Sequence, residues 1–144
     1  MIIPDVNLLI YAYNRGDENH PAAKKWWEKC LNDKIPIGLC WVVIGGFLRI
    51  ITHQRLTVRP MSLEQACGYA EEWLRQSHVF IIHPGENFVA TYFSLLKNSH
   101  ASGNLTTDAH LAALAIEYQA ELHSHDADFA RFPGLRWINP LTVK

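Results

Sequence analysis

Apolar residues follow two patterns along this chain: short apolar runs, and longer stretches in which they recur every three or four positions. The second pattern is clearest from Ser62 to Gln76, where Leu63, Ala66, Ala70 and Trp73 share one helical face. Periodicity and capping residues predict helices over Leu8–Tyr13, His20–Leu31, Trp41–Thr52, Ser62–Gln76, Glu86–Ser99 and Leu105–Gln119. Apolar runs predict extended segments at Ile2–Ile3, Ile35–Gly38, Val79–Ile82, Ala120–Ser124 and Leu135–Ile138. Short apolar strands that alternate with helices are typical of a parallel sheet covered by helices.

Three of the predicted helices differ in how their apolar residues are arranged. Leu105–Gln119 is rich in Ala and Leu on most faces, so we expect it to be central. Glu86–Ser99 is expected to turn its apolar residues inward, namely Phe88, Val89, Tyr92, Phe93, Leu95 and Leu96. Trp41–Thr52 is apolar nearly all round and contains Gly45 and Gly46. Each Gly within a helix costs about 1 kcal/mol relative to Ala, which favours close backbone packing at this pair over space for a ligand.

The size and charge of the chain narrow the possible functions. Its 144 residues predict one domain, residues 1–144. Lys and Arg number 13 against 14 Asp and Glu, so bulk charge does not make it a nucleic-acid binder, although local contact remains possible. One stretch, residues 34–63, has no acid and four basic residues, Lys34, Arg49, Arg55 and Arg59. Phosphate contacts and an ordinary solvated loop explain this stretch equally well.

The cysteines and the apolar segments indicate a cytoplasmic protein. Cys30, Cys40 and Cys67 are odd in number and lack C-x-x-C spacing, so we expect reduced thiols and neither disulfides nor a cysteine zinc site. The start of the chain does not resemble a secretory signal. The most apolar stretch, Gly38–Leu48, is shorter than the roughly 20 residues that span a bilayer.

Four aspartates follow predicted strands or open a helix near one edge of the predicted sheet. Asp5 follows the first strand, Asp126 and Asp128 follow the fourth, and Asp108 lies in the first turn of the central helix. Singly, each is explained as a helix cap or turn residue. Together they would repel by roughly 4 kcal/mol per pair at 4 Å, unless protons or a cation compensate. Carboxylate oxygens without paired Cys or His spacing favour Mg²⁺ or Mn²⁺, and such ions promote phosphodiester hydrolysis.

The segments that carry these acids resemble the PIN-domain family, specifically the VapC-type toxins of bacterial toxin–antitoxin pairs. Residues 2–9 (IIPDVNLL) are similar to the first motif of the family, residues 103–112 (GNLTTDAHLA) to the third and residues 125–132 (HDADFARF) to the last. The resemblance covers essentially the whole chain. It implies a three-layer α/β/α fold around a short parallel sheet.

The resemblance also implies an activity and partners: a Mg²⁺- or Mn²⁺-dependent endoribonuclease that cuts structured RNA. Asp5, Asp108 and Asp126 match the metal-binding acids of the family, with Asp128 as an auxiliary acid. Asn7 and Thr107 match polar positions that orient water or a carboxylate. Independently of the resemblance, the basic stretch at residues 34–63 makes Arg49 and Arg55 candidates for RNA phosphate contacts. Members of the family usually form homodimers, are inhibited by a cognate VapB-type antitoxin, and bind operator DNA through that antitoxin.

One position departs from the family pattern. Gly46 stands where the family usually has a glutamate, so one carboxylate is missing. This leaves open an alternative function, a weak or inactive PIN-fold module that binds its antitoxin. A phosphatase with Asp5 as nucleophile is a further alternative, but Asn7 replaces the second Asp of the usual Asp-x-Asp motif.

Overall fold

A computed structural model describes residues 1–142, so the last two residues of the predicted domain, 143 and 144, lie outside the described residues. The strands are β1 (Ile2–Pro4), β2 (Ile37–Leu39), β3 (Val79–Ile81), β4 (Glu121–His123) and β5 (Arg136–Ile138). The helices are α1 (Val6–Tyr13), α2 (His20–Asn32), α3 (Trp41–Ile51), α4 (Leu63–Arg75), α5 (Phe88–Asn98) and α6 (Leu105–Glu117). These elements agree with the predicted ones to within two residues at each end.

The five strands form one parallel sheet in the order β3-β2-β1-β4-β5. The chain first adds β2 and β3 on one side of β1, and then adds β4 and β5 on the other side. The strand order therefore reverses between β1 and β4, where Pro4 lies opposite His123. In open α/β sheets such a reversal leaves a crevice at the carboxyl ends of the two strands, and ligands bind there.

The helices cover both faces of this sheet. Because crossovers between parallel strands are right-handed, the helices between β1 and β3 lie on one face, and α5 and α6 lie on the other. The observed contacts agree, since α1 packs against α2 and α3, α3 against α4, and α5 against α6. The predicted three-layer α/β/α fold is therefore confirmed.

Buried aromatic side chains join the helices of the first layer. The rings of Trp27, Phe47 and Trp73 are at most 2% exposed, and Trp73 packs against both of the others at centroid distances of 5.5 and 4.8 Å. Trp73 Nε1 donates a hydrogen bond of 2.8 Å to Tyr13 Oη. This cluster fixes α1, which starts at Asp5, relative to α2, α3 and α4.

Two of the predicted helices differ in part from expectation. The central helix is confirmed, because six residues of α6 are buried. On α5, however, Val89 and Phe93 are 59% and 51% exposed, so the inward orientation expected for them is wrong. Among residues 1–142 no element covers that side of α5, and sequence periodicity does not show what lies opposite a helix face.

Helix α3 is less buried than its composition suggests. Trp41 and Val42, at its start, are 58% and 49% exposed. Close packing explains only one of its glycines: a Cβ at Gly46 would lie 3.2 Å from Val6 Cγ2, whereas one at Gly45 would meet nothing within 4 Å. No helix in residues 1–142 has both the length and the apolar character needed to cross a membrane.

The orientation of α5 can be tested by removing one buried and one exposed side chain. Leu95, which is 4% exposed, should lose about 2–4 kcal/mol of unfolding free energy on Leu95→Ala. Val89→Ala on the same helix should change it by less than about 0.5 kcal/mol. Urea unfolding followed by circular dichroism measures both, and equal losses would show that α5 presents a different face to the core.

Candidate metal centre

Asp5 is the most constrained of the four predicted acids. It follows β1 directly and caps α1, so its Oδ1 accepts the Val6 N–H at 2.7 Å. Its Oδ2 accepts the Ser124 hydroxyl at 2.7 Å. The residue is only 8% exposed. Burial raises the pKa of this carboxyl, whereas the two hydrogen bonds lower it. Asp5 is therefore held in one orientation at the end of its strand.

Ser124 links the acid after β1 to the acid after β4. The residue is fully buried, and its Oγ accepts hydrogen bonds from the Asp126 backbone N–H (3.0 Å) and from Asn7 Nδ2 (3.3 Å) while donating to Asp5. Asn7 Oδ1 in turn accepts the His125 backbone N–H at 3.4 Å. Ser124 is the site residue that sequence reasoning missed, because a serine at a strand end gives no signal beyond its position two residues before Asp126.

Asp108, Asp126 and Asp128 come together on the open side of this network. Each offers one carboxylate oxygen, and the three oxygens lie within 4.8 Å of one another. Asp126 caps the 3₁₀-helix Ala127–Arg131, where its Oδ1 accepts the Asp128 N–H at 2.9 Å. The sequence predicted only a loop here. The helix turns Asp128 toward Asp108, so the predicted auxiliary acid lies in the cluster itself.

The acids repel one another at Asp108. Burial is the largest cause that raises its pKa to about 6, and the charges of Asp5, Asp126 and Asp128 raise it further. The guanidinium of Arg131 acts in the opposite direction. A bound cation would relieve this repulsion. The donor set fits Mg²⁺ or Mn²⁺, since it consists of carboxylate oxygens, which these hard ions prefer.

A cavity of about 300 Å³ adjoins the acids. Asp5, Asp108, Thr107, Gly46 and Arg49 are among the residues that line it. Gly46 therefore lies beside two of the acids, which is where a glutamate at this position would add its carboxylate. Arg55, by contrast, lies exposed in the loop after α3 and lines neither this cavity nor the larger one described below.

A larger cavity, of about 500 Å³, lies between α1, α2 and α4. None of the predicted site residues lines it. Its walls mix basic, acidic and aromatic side chains, among them Arg15, Lys24, Glu28, Glu72 and Tyr69. Since the smaller cavity is the one beside the acid cluster, it marks the candidate site.

Comparisons with known proteins identify the family to which this fold belongs. A family model described as PIN domain matches residues 2–135. Ribonuclease VapC33 of Mycobacterium tuberculosis is 43% identical over 141 residues, which is 98% of this chain and 99% of that protein. Ribonuclease VapC37 of the same organism is 35% identical over 140 residues, 97% of each chain.

Solved structures show the same fold at lower identity. VapBC2 from Rickettsia felis, bound to a DNA fragment from the promoter, superposes with a TM-score of 0.69 at 20% identity and covers 96% of this chain and 98% of that one. VapC20 of Mycobacterium tuberculosis, a sarcin-ricin loop cleaving toxin, gives 0.68 at 18% identity over 94% and 99% of the two chains. Taken with the matched residues and the 43% identity, these likenesses mean that the chain belongs to the PIN-domain family, among its VapC-type members.

Proposed function

We propose that this protein is a Mg²⁺- or Mn²⁺-dependent endoribonuclease and the toxin of a VapBC-type toxin–antitoxin pair. The observation that carries the proposal is the cluster of Asp108, Asp126 and Asp128 beside Asp5, at the point where the strand order reverses. The ribonuclease names of relatives that match nearly the whole chain support it.

Some residues of the site would bind the metal, and others would contact the substrate. Asp5, Asp108 and Asp126 would hold the ion, with Asp128 as the auxiliary acid. When bound, such an ion polarises a phosphoryl oxygen and lowers the pKa of water. Ser124 and Asn7 keep Asp5 and the Asp126 loop in register through the hydrogen bonds described above.

The wall of the cavity would meet the substrate. Thr107 contributes a hydroxyl that can orient water, and Arg49 contributes a guanidinium that can bind a phosphate. Arg55 remains a weaker candidate for a phosphate contact because of its place outside the cavity.

The partners follow from the same family membership. We infer a VapB-type antitoxin as the inhibitor and the route to operator DNA, because structures of similar fold are VapBC complexes, one bound to promoter DNA. A homodimer and a cytoplasmic location complete the proposal.

One observation favours a second candidate, a weak or inactive module that binds the antitoxin. Gly46 lines the cavity without a side chain, so the centre lacks one carboxylate of the family pattern. A folded protein that binds its antitoxin and leaves RNA intact at high Mn²⁺ would favour this candidate.

Removal of a metal-binding acid should abolish cleavage. We expect Asp126→Asn to reduce cleavage of total RNA in Mg²⁺ or Mn²⁺ by more than about 100-fold. Loss of a residue that only hydrogen-bonds to a metal ligand already costs about 10–100-fold, and loss of a ligand should cost more. Asp33→Asn is the matched control, since Asp33 pairs with Lys29 on the surface away from the cluster. Gel analysis of the products measures both, and unchanged cleavage in Asp126→Asn would contradict the proposal.

The raised pKa of Asp108 predicts how the stability of the metal-free protein depends on pH. The folded pKa of about 6 exceeds the ordinary 3.8, so the proton binds more tightly in the folded state and stability falls as pH rises from about 4 to about 6. Asp108→Asn removes this titration and should raise the Tm at pH 7 by about 2–5 °C in EDTA. Differential scanning calorimetry at pH 5 and pH 7 gives the Tm of the unaltered protein and of Asp108→Asn. If the Tm changes by the same amount between these pH values in both proteins, the effect is excluded.

Restoration of the missing carboxylate should tighten metal binding. Gly46→Glu places a carboxylate beside Asp5 and Asp108, and we expect the Kd for Mn²⁺ to fall about tenfold, as one more charged oxygen ligand joins the site. Val6 must shift slightly, because the new Cβ would lie 3.2 Å from its Cγ2; Gly46→Ala controls for this.

The matched charge control for that change is Gly45→Glu, whose side chain would enter open space. Isothermal titration calorimetry compares the variants. If Gly46→Glu gives no more affinity than Gly45→Glu, then Gly46 does not face the metal centre.

A further inference from the structure

We propose that Arg131 and Arg49 bind RNA phosphates on opposite sides of the acidic centre, so that one RNA strand crosses the carboxyl edge of the sheet between them. This inference rests on the proposed ribonuclease function and assigns Arg131 a role in binding the substrate.

Arg131 is fixed to the centre by a short rigid element. It ends the 3₁₀-helix that Asp126 caps and that carries Asp128. Phe129 and Phe132, which are 0% and 3% exposed, anchor that helix in the core from both sides of Arg131. The Arg131 carbonyl also accepts a hydrogen bond from Ser99 Oγ at 3.4 Å. The backbone of Arg131 is therefore positioned by the same element that carries Asp126 and Asp128.

The ion pair of Arg131 leaves most of its donors available. Its Nη2 lies 3.6 Å from Asp128 Oδ1, which is longer than a hydrogen bond. A guanidinium has five N–H donors in a fork that matches two oxygens of one phosphate. A phosphate at the edge of the centre would thus offer Arg131 better partners than Asp128 does, while Asp128 stays with the other acids.

Arg49 provides the second cation from α3. It is exposed and lines the cavity that also contains Asp5 and Asp108. Within residues 1–142 it forms no ion pair with an acid, so no carboxylate competes for its guanidinium there.

The strand order places the two arginines on different sides of Asp5. Helix α3 follows β2, and the 3₁₀-helix follows β4, whereas Asp5 follows β1, which lies between these two strands. A polyanion that contacts both arginines at this edge of the sheet would therefore pass over the acidic centre. Four acids at that centre would repel RNA, and the flanking cations would supply a local attraction that the near-neutral net charge of the chain does not.

The test measures RNA binding separately from cleavage. Arg131→Met is placed in an Asp108→Asn background at saturating Mn²⁺. Fluorescence anisotropy then gives the Kd for a short single-stranded RNA of mixed sequence at several KCl concentrations. We expect the Kd to rise about tenfold, the effect of one charge-assisted hydrogen bond. The slope of log Kd against log salt should fall by about 0.7, the value for one lost phosphate contact on a single strand.

Two further variants separate a phosphate contact from a structural role. Arg75→Met is the matched control, because Arg75 Nη2 also lies 3.6 Å from a carboxylate oxygen, that of Glu71 on the same helix, α4. Its Kd and salt slope should not change. Arg131→Lys retains the charge, so it should keep the salt slope and raise the Kd less than Arg131→Met.

If Arg131→Met matches Arg75→Met in both the Kd and the salt slope, the inference is overturned. The proposed function would then still stand, provided that the unaltered protein cuts RNA and Asp126→Asn does not. If the unaltered protein fails to cut RNA, the function is overturned, whereas the binding data still decide the role of Arg131.

Discussion

The site depends on the parallel pairing of β1 with β4. Pro4 lies opposite His123 in the register, and the Asp5 N–H continues the pairing by donating to the His123 carbonyl at 2.8 Å. Asp5 and the segment from Ser124 to Asp126 therefore leave the sheet side by side. A slip of one residue would turn the side chains of one strand to the other face and separate these groups. Helix α6 leads into β4, and Asp108 in its first turn lines the same cavity as Asp5.

The surrounding structure stabilises the negative charge of some acids more than that of others, and this difference explains why a cation would stabilise the centre. Asp5 receives two hydrogen bonds that stabilise its charged form, so its burial is partly offset. Asp108 is half-buried, is repelled by three other carboxylates, and has the Arg131 charge in opposition. A pair of carboxylates at 4 Å repels by about 4 kcal/mol at an effective dielectric of 20. An amide at Asp108 would not take part in this repulsion, and a cation held by the carboxylates would relieve it.

Sequence alone predicted the elements and the acids because both depend on local pattern. The apolar runs and the helical periodicity located every strand and α-helix, and acids at strand ends indicated the sheet edge. The features that the sequence did not predict depend on contacts between residues that are far apart in the chain. The role of Ser124 arises from Asp5, 119 positions away, and the role proposed for Arg131 arises from its neighbours at the centre. Val89 and Phe93 have the spacing of core residues, yet nothing in the described part of the chain covers them.

Gly46 shows how one small residue changes the balance of the centre. A glutamate there would add a fifth carboxylate to those of Asp5, Asp108, Asp126 and Asp128, and would fill part of the cavity that Arg49 also lines. With glycine, the four carboxylates are distributed unevenly around the centre. Asp128 lies next to Arg131, whereas the space between Gly46 and Arg49 stays open. A phosphate bound as proposed would therefore meet less repulsion on the Gly46 side of the centre than beside Asp128.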